Sequence, residues 1–193
     1  MSKSADPKNQ GYTNRDIVII AVYQLGGALR HIHLEDVAMK AAELSPRRFC
    51  WKKYPDQINL ESVRITLKGE LGLPNRRVLG SIRDGWMLTP EGLSWCMTTT
   101  GSGDNEALIE ELHREIDRAK RTPAFNKTIH GQVEEVSTLE VEALLRLNDY
   151  FTARNRRERI VALSNAAVLD SQLRLVLANL RECGFNELEV KNE

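Results

Sequence analysis

Between positions 45 and 84 the chain carries nine Lys and Arg residues against four Asp and Glu. Arg47-Arg48 and Lys52-Lys53 form two basic pairs there, interleaved with Phe49, Trp51 and Tyr54. Such cations can neutralise phosphates, and aromatics between them can serve as flat platforms, the make-up of a nucleic-acid contact. The same residues also admit a structural reading, in which the aromatics anchor a long loop and the cations stay solvated. Further on, Arg64, Lys68, Arg76, Arg77 and Arg83 continue the basic series, and Ser62 adds a hydroxyl that can reach a base edge or a phosphate.

Catalysis and metal binding find little to work with. His31, His33, His113 and His130 show no spacing to a carboxylate or cysteine that repeats a catalytic motif. His31-x-His33 would place two rings on one side of a strand, yet no third ligand can be named. Gly101-Ser102-Gly103 lacks the Lys-Ser/Thr ending of a phosphate-binding loop and reads as linker. Cys50, Cys96 and Cys183 are odd in number and widely spaced, which suits neither a zinc site nor a disulfide framework. The expectation is a non-enzyme without cofactor or metal.

The 193 residues suffice for one large domain or two small ones. Aromatic residues make up only 6% of the chain, which favours helical over β-rich architectures. No apolar run approaches the roughly 20 residues of a membrane-spanning helix. The polar start, Met1 to Lys8, lacks the apolar core of a signal peptide, so a cytoplasmic protein without membrane association is expected. The zero net charge hides an asymmetry. Residues 1–100 hold 14 basic and 10 acidic side chains, and residues 101–193 hold 13 and 17.

Which elements position the cations follows from periodicity and punctuation. Residues 1–13 read as disordered. Asn14 can cap a helix carrying Ile17, Ile20, Ala21 and Leu25, which Gly26-Gly27 ends. His31-Ile32-His33 fits a short strand, and Leu34 to Leu44 a second helix. Asn59 then caps a third, with Leu60, Val63, Leu67 and Leu71 inward. Its outward face holds Ser62, Ile65 and Gly69, flanked by Glu61 and Lys68, with Arg64 at the edge. Two short strands, Val78 to Arg83 and Trp86 to Thr89, are joined by Asp84-Gly85, a type I′ hairpin signal. Thr89-Pro90 opens a short helix to Met97.

This order, and above all the junction Gly85-Trp86-Met87-Leu88-Thr89-Pro90-Glu91-Gly92, resembles the winged helix-turn-helix superfamily over residues 14–97. The resemblance implies a module that binds double-stranded DNA, its third helix in the major groove and its hairpin on the backbone. It implies a regulator of bacterial type acting as a dimer, with Arg47, Arg48, Lys52, Lys53, Ser62, Arg64, Lys68, Arg76, Arg77 and Arg83 as the contact set. The alternative is a winged-helix adaptor that binds a protein partner in a defence or DNA-processing complex. Ile65 and Gly69 on the third helix favour that alternative.

Residues 98–104 are small and polar and read as a linker. Residues 105–193 then read as a helical bundle for dimerisation or partner binding. Asp104 is expected to cap a helix to Arg121 whose stripe Ile109, Leu112, Ile116 would form the dimer seam. Thr122-Pro123 stops it, Ser137-Thr138-Leu139-Glu140 is a capping box, and Asp170 caps a last helix ended by Gly184. The run Arg154 to Arg159 would oppose the helix dipole at a helix start. It calls either for a helix continuous from Ser137, for acidic partners, or for a second nucleic-acid contact. The whole reads as mainly α with a small β-hairpin: a winged helix-turn-helix domain followed by a C-terminal helical bundle.

Overall fold

The computed structural model describes residues 11–101 and 105–185. It is mainly helical, with one two-stranded antiparallel hairpin among the described residues. Two compact units emerge. The first runs to Gly101 without Ala28–Arg30, and the second takes in those three residues together with the chain after Gly101.

The first unit is built round α1 (Asn14–Gln24), in which every residue from Ile17 to Tyr23 is buried. A helix apolar on all sides must be enclosed, and α2 (Leu34–Leu44), α3 (Leu60–Leu71), α4 (Pro90–Thr100) and the hairpin all pack on it. The cap of α1 is Thr13 rather than Asn14. Its hydroxyl accepts from the Asp16 amide while its own amide donates to the Asp16 carboxylate, a reciprocal capping box. Tyr12 Oη donates to the Thr99 carbonyl at 3.1 Å. Tyr12 and Thr13 therefore belong to the fold, against the expected disorder of 1–13; residues 1–10 lie outside the described residues.

Strands β1 (Val78–Ser81) and β2 (Gly85–Leu88) pair with Val78 opposite Leu88 and Ser81 opposite Gly85. The connection is Ile82-Arg83-Asp84, three residues rather than the expected two. A type I′ turn needs positive φ at both central residues, and Asp84 does not adopt it. Gly85 alone does, at φ 90°, while the Ser81 hydroxyl accepts from the Asp84 amide. Ile32 exchanges both backbone hydrogen bonds with Trp86, so the short segment before α2 adds a single bridge to the hairpin. Gly92 lets the first turn of α4 lie against the strand lead-in, since a Cβ there would collide with the Arg77 carbonyl oxygen. Helix α4 also runs on to Thr100. Thr98 and Thr100 are not linker: their hydroxyls donate to the carbonyls of Ser94 and Cys96 one turn back.

The second unit comprises α5 (Glu106–Lys120), α6 (Pro123–Ile129), α7 (Thr138–Leu145), α8 (Ala153–Leu169) and α9 (Ser171–Glu182). Asn105, not Asp104, caps α5 by accepting from the Leu108 amide, and Asp104 lies outside the described residues. Thr122-Pro123 ends α5 but also begins α6, with Thr122 as cap and Pro123 in the first turn. Ser137 and Glu140 form the expected capping box of α7, and Asp170 caps α9. Arg146 at φ 56° terminates α7, so α8 starts afresh at Ala153. The arginine run thus occupies the first turns of a helix, and Arg156 lies 3.9 Å from Glu142 on α7 rather than on the acidic α5.

Candidate nucleic-acid interface

The long connection from α2 to α3 divides its aromatics between two jobs. Phe49 is wholly buried and fixes the base of the loop. Above it the backbone closes on itself. Asn59 N donates to Phe49 O at 2.7 Å, Trp51 N to Gln57 O at 3.0 Å, and Gln57 N to Tyr54 O at 3.0 Å. Cys50 and Ile58 form an antiparallel bridge. Beyond this closure Trp51 and Tyr54 are 49% and 54% exposed, and Lys52 and Lys53 are exposed with them. Lys53 Nζ lies 5.8 Å from the centre of the Tyr54 ring, a loose cation–π contact. Phe49 thus anchors the loop as the structural reading expects, while Trp51 and Tyr54 are not spent on anchoring it.

Arg47 and Arg48 at the foot of the loop are exposed as well. Arg47 adopts φ 75°, a left-handed conformation that costs a non-glycine residue energy. Arg48 is partly committed, because its guanidinium donates to the Tyr12 carbonyl at 2.8 Å.

Helix α3 presents Lys68 and Ile65 to solvent, the latter 59% exposed. Ser62 is half-buried; its amide donates to the Asn59 cap, and its carbonyl accepts from the Thr66 hydroxyl. Arg64 is bidentate to Glu61 one turn earlier. Arg64 therefore has its charge met within the helix, and Lys68 is the cation that α3 offers. At the hairpin tip Arg83 is exposed beside Ile82.

Arg77 is drawn into an internal cluster rather than held out to solvent. Its Nη1 donates to Asp16 Oδ1 at 2.9 Å and its Nε to Glu70 Oε1 at 3.0 Å, and its amide donates to the same Glu70 oxygen. The guanidinium also stacks 4.3 Å from the centre of the Trp95 ring. Glu70 is only 1% exposed, so Arg77 is the charge that makes its burial tolerable. Arg15 reaches the other Glu70 oxygen at 3.4 Å. Burial by itself would raise the Asp16 carboxyl, but hydrogen bonds from Thr13 and Arg77 hold it below its ordinary value. Arg76 is half-buried, and its carbonyl accepts from the Thr89 hydroxyl. The cluster joins α1, α3, α4 and the start of β1, and it was missed from sequence because Asp16 stands 61 residues from Arg77.

The expected dimer stripe is placed elsewhere too. Leu112 and Ile116 are buried by neighbours in the single chain, and Ile109 is half-buried. Helix α5 packs this face on α8, α6 and α9. In the single chain this stripe is the core of the second unit.

Among the described residues no group of three or more His, Cys, Asp or Glu side chains gathers as a metal site requires. Burial pushes the Cys96 thiol well above its ordinary range. Among the described residues no helix is long and apolar enough to cross a membrane. No family model, no curated protein and no solved structure matches the chain.

Proposed function

We propose that the first unit is a winged helix-turn-helix module that binds double-stranded DNA without catalysing a reaction, as a regulator of bacterial type would. The observation that carries the reading is where the exposed cations fall. Arg47, Arg48, Lys52 and Lys53 stand on the loop leading into α3, Lys68 on α3 itself and Arg83 at the hairpin tip. The third helix and the hairpin are the elements by which such a module meets a duplex, and the loop between α2 and α3, far longer than the turn of a simple helix-turn-helix, adds four cations beside them. The order of three helices, hairpin and fourth helix, with Ile32 bridging to β2, supports the same reading. Arg64 and Arg77 leave the contact set, and sequence discrimination rests on few side chains. Binding is therefore carried chiefly by phosphates. Pairing of two copies would double those contacts, through a surface other than the α5 stripe.

The test is the salt dependence of binding to a duplex of random sequence. Replacing Lys52 and Lys53 together with Gln should flatten the slope of log affinity against log salt by up to about two, as each lost phosphate contact removes close to one unit. Absence of duplex binding at low salt overturns the proposal.

A second reading has its own observation. Ile65 is an exposed apolar side chain on the outer face of α3, and Gly69 one turn on leaves the helix surface open there; Leu60, expected inward, is 41% exposed at the start of the helix. That face suits a protein partner, in which case the unit is an adaptor. Ile65→Asp should then abolish a protein complex while leaving any duplex binding in place.

A further inference from the structure

A loop that buries one aromatic completely and leaves two others outside has sorted them. Phe49 is wholly buried beneath this loop, while Trp51 and Tyr54 stay about half exposed. They are not exposed through lack of order in the backbone: the bonds from Trp51 to Gln57, Gln57 to Tyr54 and Asn59 to Phe49 close the loop beneath them. An exposed indole and phenol held this way lose solvation entropy for no internal gain, and they are costly to keep clear of other apolar surfaces. Their neighbours along the chain are Arg47, Arg48, Lys52 and Lys53, and the first acidic residue after Glu43 is Asp56. The pattern is two exposed rings within a run of positive charge.

Intact duplex DNA does not use such a platform well. Its base faces are already stacked on one another, and its outer surface offers phosphates, sugars and groove edges. Unpaired nucleotides have free faces and the same phosphates. Rings that stack bases, set among cations that follow the backbone, are the means by which proteins hold single strands without regard to sequence.

We propose that the 45–58 loop is a stacking site for unpaired nucleotides, so that the nucleic acid this chain prefers carries a single-stranded segment next to duplex. Duplex contact by α3, the hairpin and the cations of the loop is the reading given above, and this inference rests on it. The loop adds recognition of a junction, with Trp51 and Tyr54 each taking a base and Lys52 and Lys53 taking the flanking phosphates. Sequence preference at the loop is slight, because every base has a face to stack.

The experiment uses the full chain and three DNA probes of random sequence: a blunt duplex, the same duplex with a single-stranded overhang, and the single strand alone. The overhang duplex should bind more tightly than the blunt one and should quench tryptophan fluorescence. Trp86 is buried and Trp95 lies under Arg77, which leaves Trp51 as the responsive indole. Trp51→Ala should cut affinity for the overhang probe roughly five- to a hundredfold while leaving blunt-duplex affinity within about twofold. Trp51→Phe should restore most of the loss. Its side chain is exposed and its backbone amide is retained, so the variants should keep the wild-type circular dichroism. Equal binding of blunt and overhang probes, unaffected by Trp51→Ala, overturns the stacking site and leaves duplex binding standing. No binding of any probe at low salt, with a protein complex lost in Trp51→Ala, overturns both readings together.

Discussion

Arg77 and Lys53 are both cations in the basic segment, and their surroundings give them opposite consequences. Lys53 is exposed, and its removal should change stability by less than about 0.5 kcal/mol. Arg77 faces a carboxylate that has almost no access to water. Arg77→Met keeps the packing on Trp95 but leaves Glu70 a buried charge with only the outlying Arg15 opposite. The expected loss is about 3 kcal/mol, the lower end for a broken buried pair because Arg77 is partly solvated. Adding Glu70→Met to that variant should recover part of it, since both charges are then gone. Urea unfolding measures both; an Arg77→Met variant as stable as the parent would show that the cluster is not a structural lock. Asp16 gives this cluster a pH signature. Its carboxyl is held below its ordinary 3.8 in the fold. A depressed carboxyl contributes stability that is complete above the unfolded value and is lost as pH falls through the folded one. Stability of the first unit should therefore decline below about pH 4, and Asp16→Asn should weaken that acid dependence. Asp170, depressed by Lys120 and by the α9 amides against the opposing effect of burial, imposes the same sign on the second unit.

At the scale of elements, α5 separates two uses of one apolar stripe. Leu112 is wholly buried by the helices of its own unit. Leu112→Glu places an unpaired charge in that core and should destabilise the second unit by about 4 kcal/mol or more. Circular dichroism should show loss of helix in this variant, whereas a fully folded monomer by sedimentation would return the stripe to a dimer seam. Elements whose signals are local were legible in the sequence. Asn59, Thr89, Ser137 and Asp170 cap the helices they were expected to cap, because a cap bond spans three residues and its chemistry is written there. Thr122-Pro123 was half legible, because the same pair that stops one helix can start the next. The hairpin loop is one residue longer than expected, since Asp-Gly suits both an I′ turn and a three-residue loop with glycine last. Arg64 and Arg77 depart from the expected contact set for different reasons. Glu61 lies within one turn of Arg64 and is visible in the sequence, but nothing near Arg77 announces Asp16. Exposure sorted Phe49 from Trp51 and Tyr54, and composition alone could not.

For the whole molecule, the two units are not two consecutive stretches of chain. Ser102-Gly103-Asp104 offers no apolar side chain to bury, and Gly101 before it is exposed at φ 90°. Limited proteolysis should cut between Gly101 and Asn105, a narrower window than the sequence suggested, because Thr98 to Thr100 complete α4. The cut does not release a complete second unit. Ala28–Arg30 belong to it, although they lie between α1 and α2 in sequence. Asn165 on α8 is wholly buried, and its Nδ2 donates to the Ala28 carbonyl at 2.7 Å. A fragment beginning at Asn105 lacks that acceptor. Losing a buried hydrogen-bond partner costs about 1–3 kcal/mol. The isolated fragment should accordingly unfold at a lower urea concentration than the same helices in the intact chain. Asn165→Ala in the full chain should move the second unit in the same direction. Equal midpoints for fragment and intact chain, measured by circular dichroism, would mean that the second unit stands without the 28–30 segment.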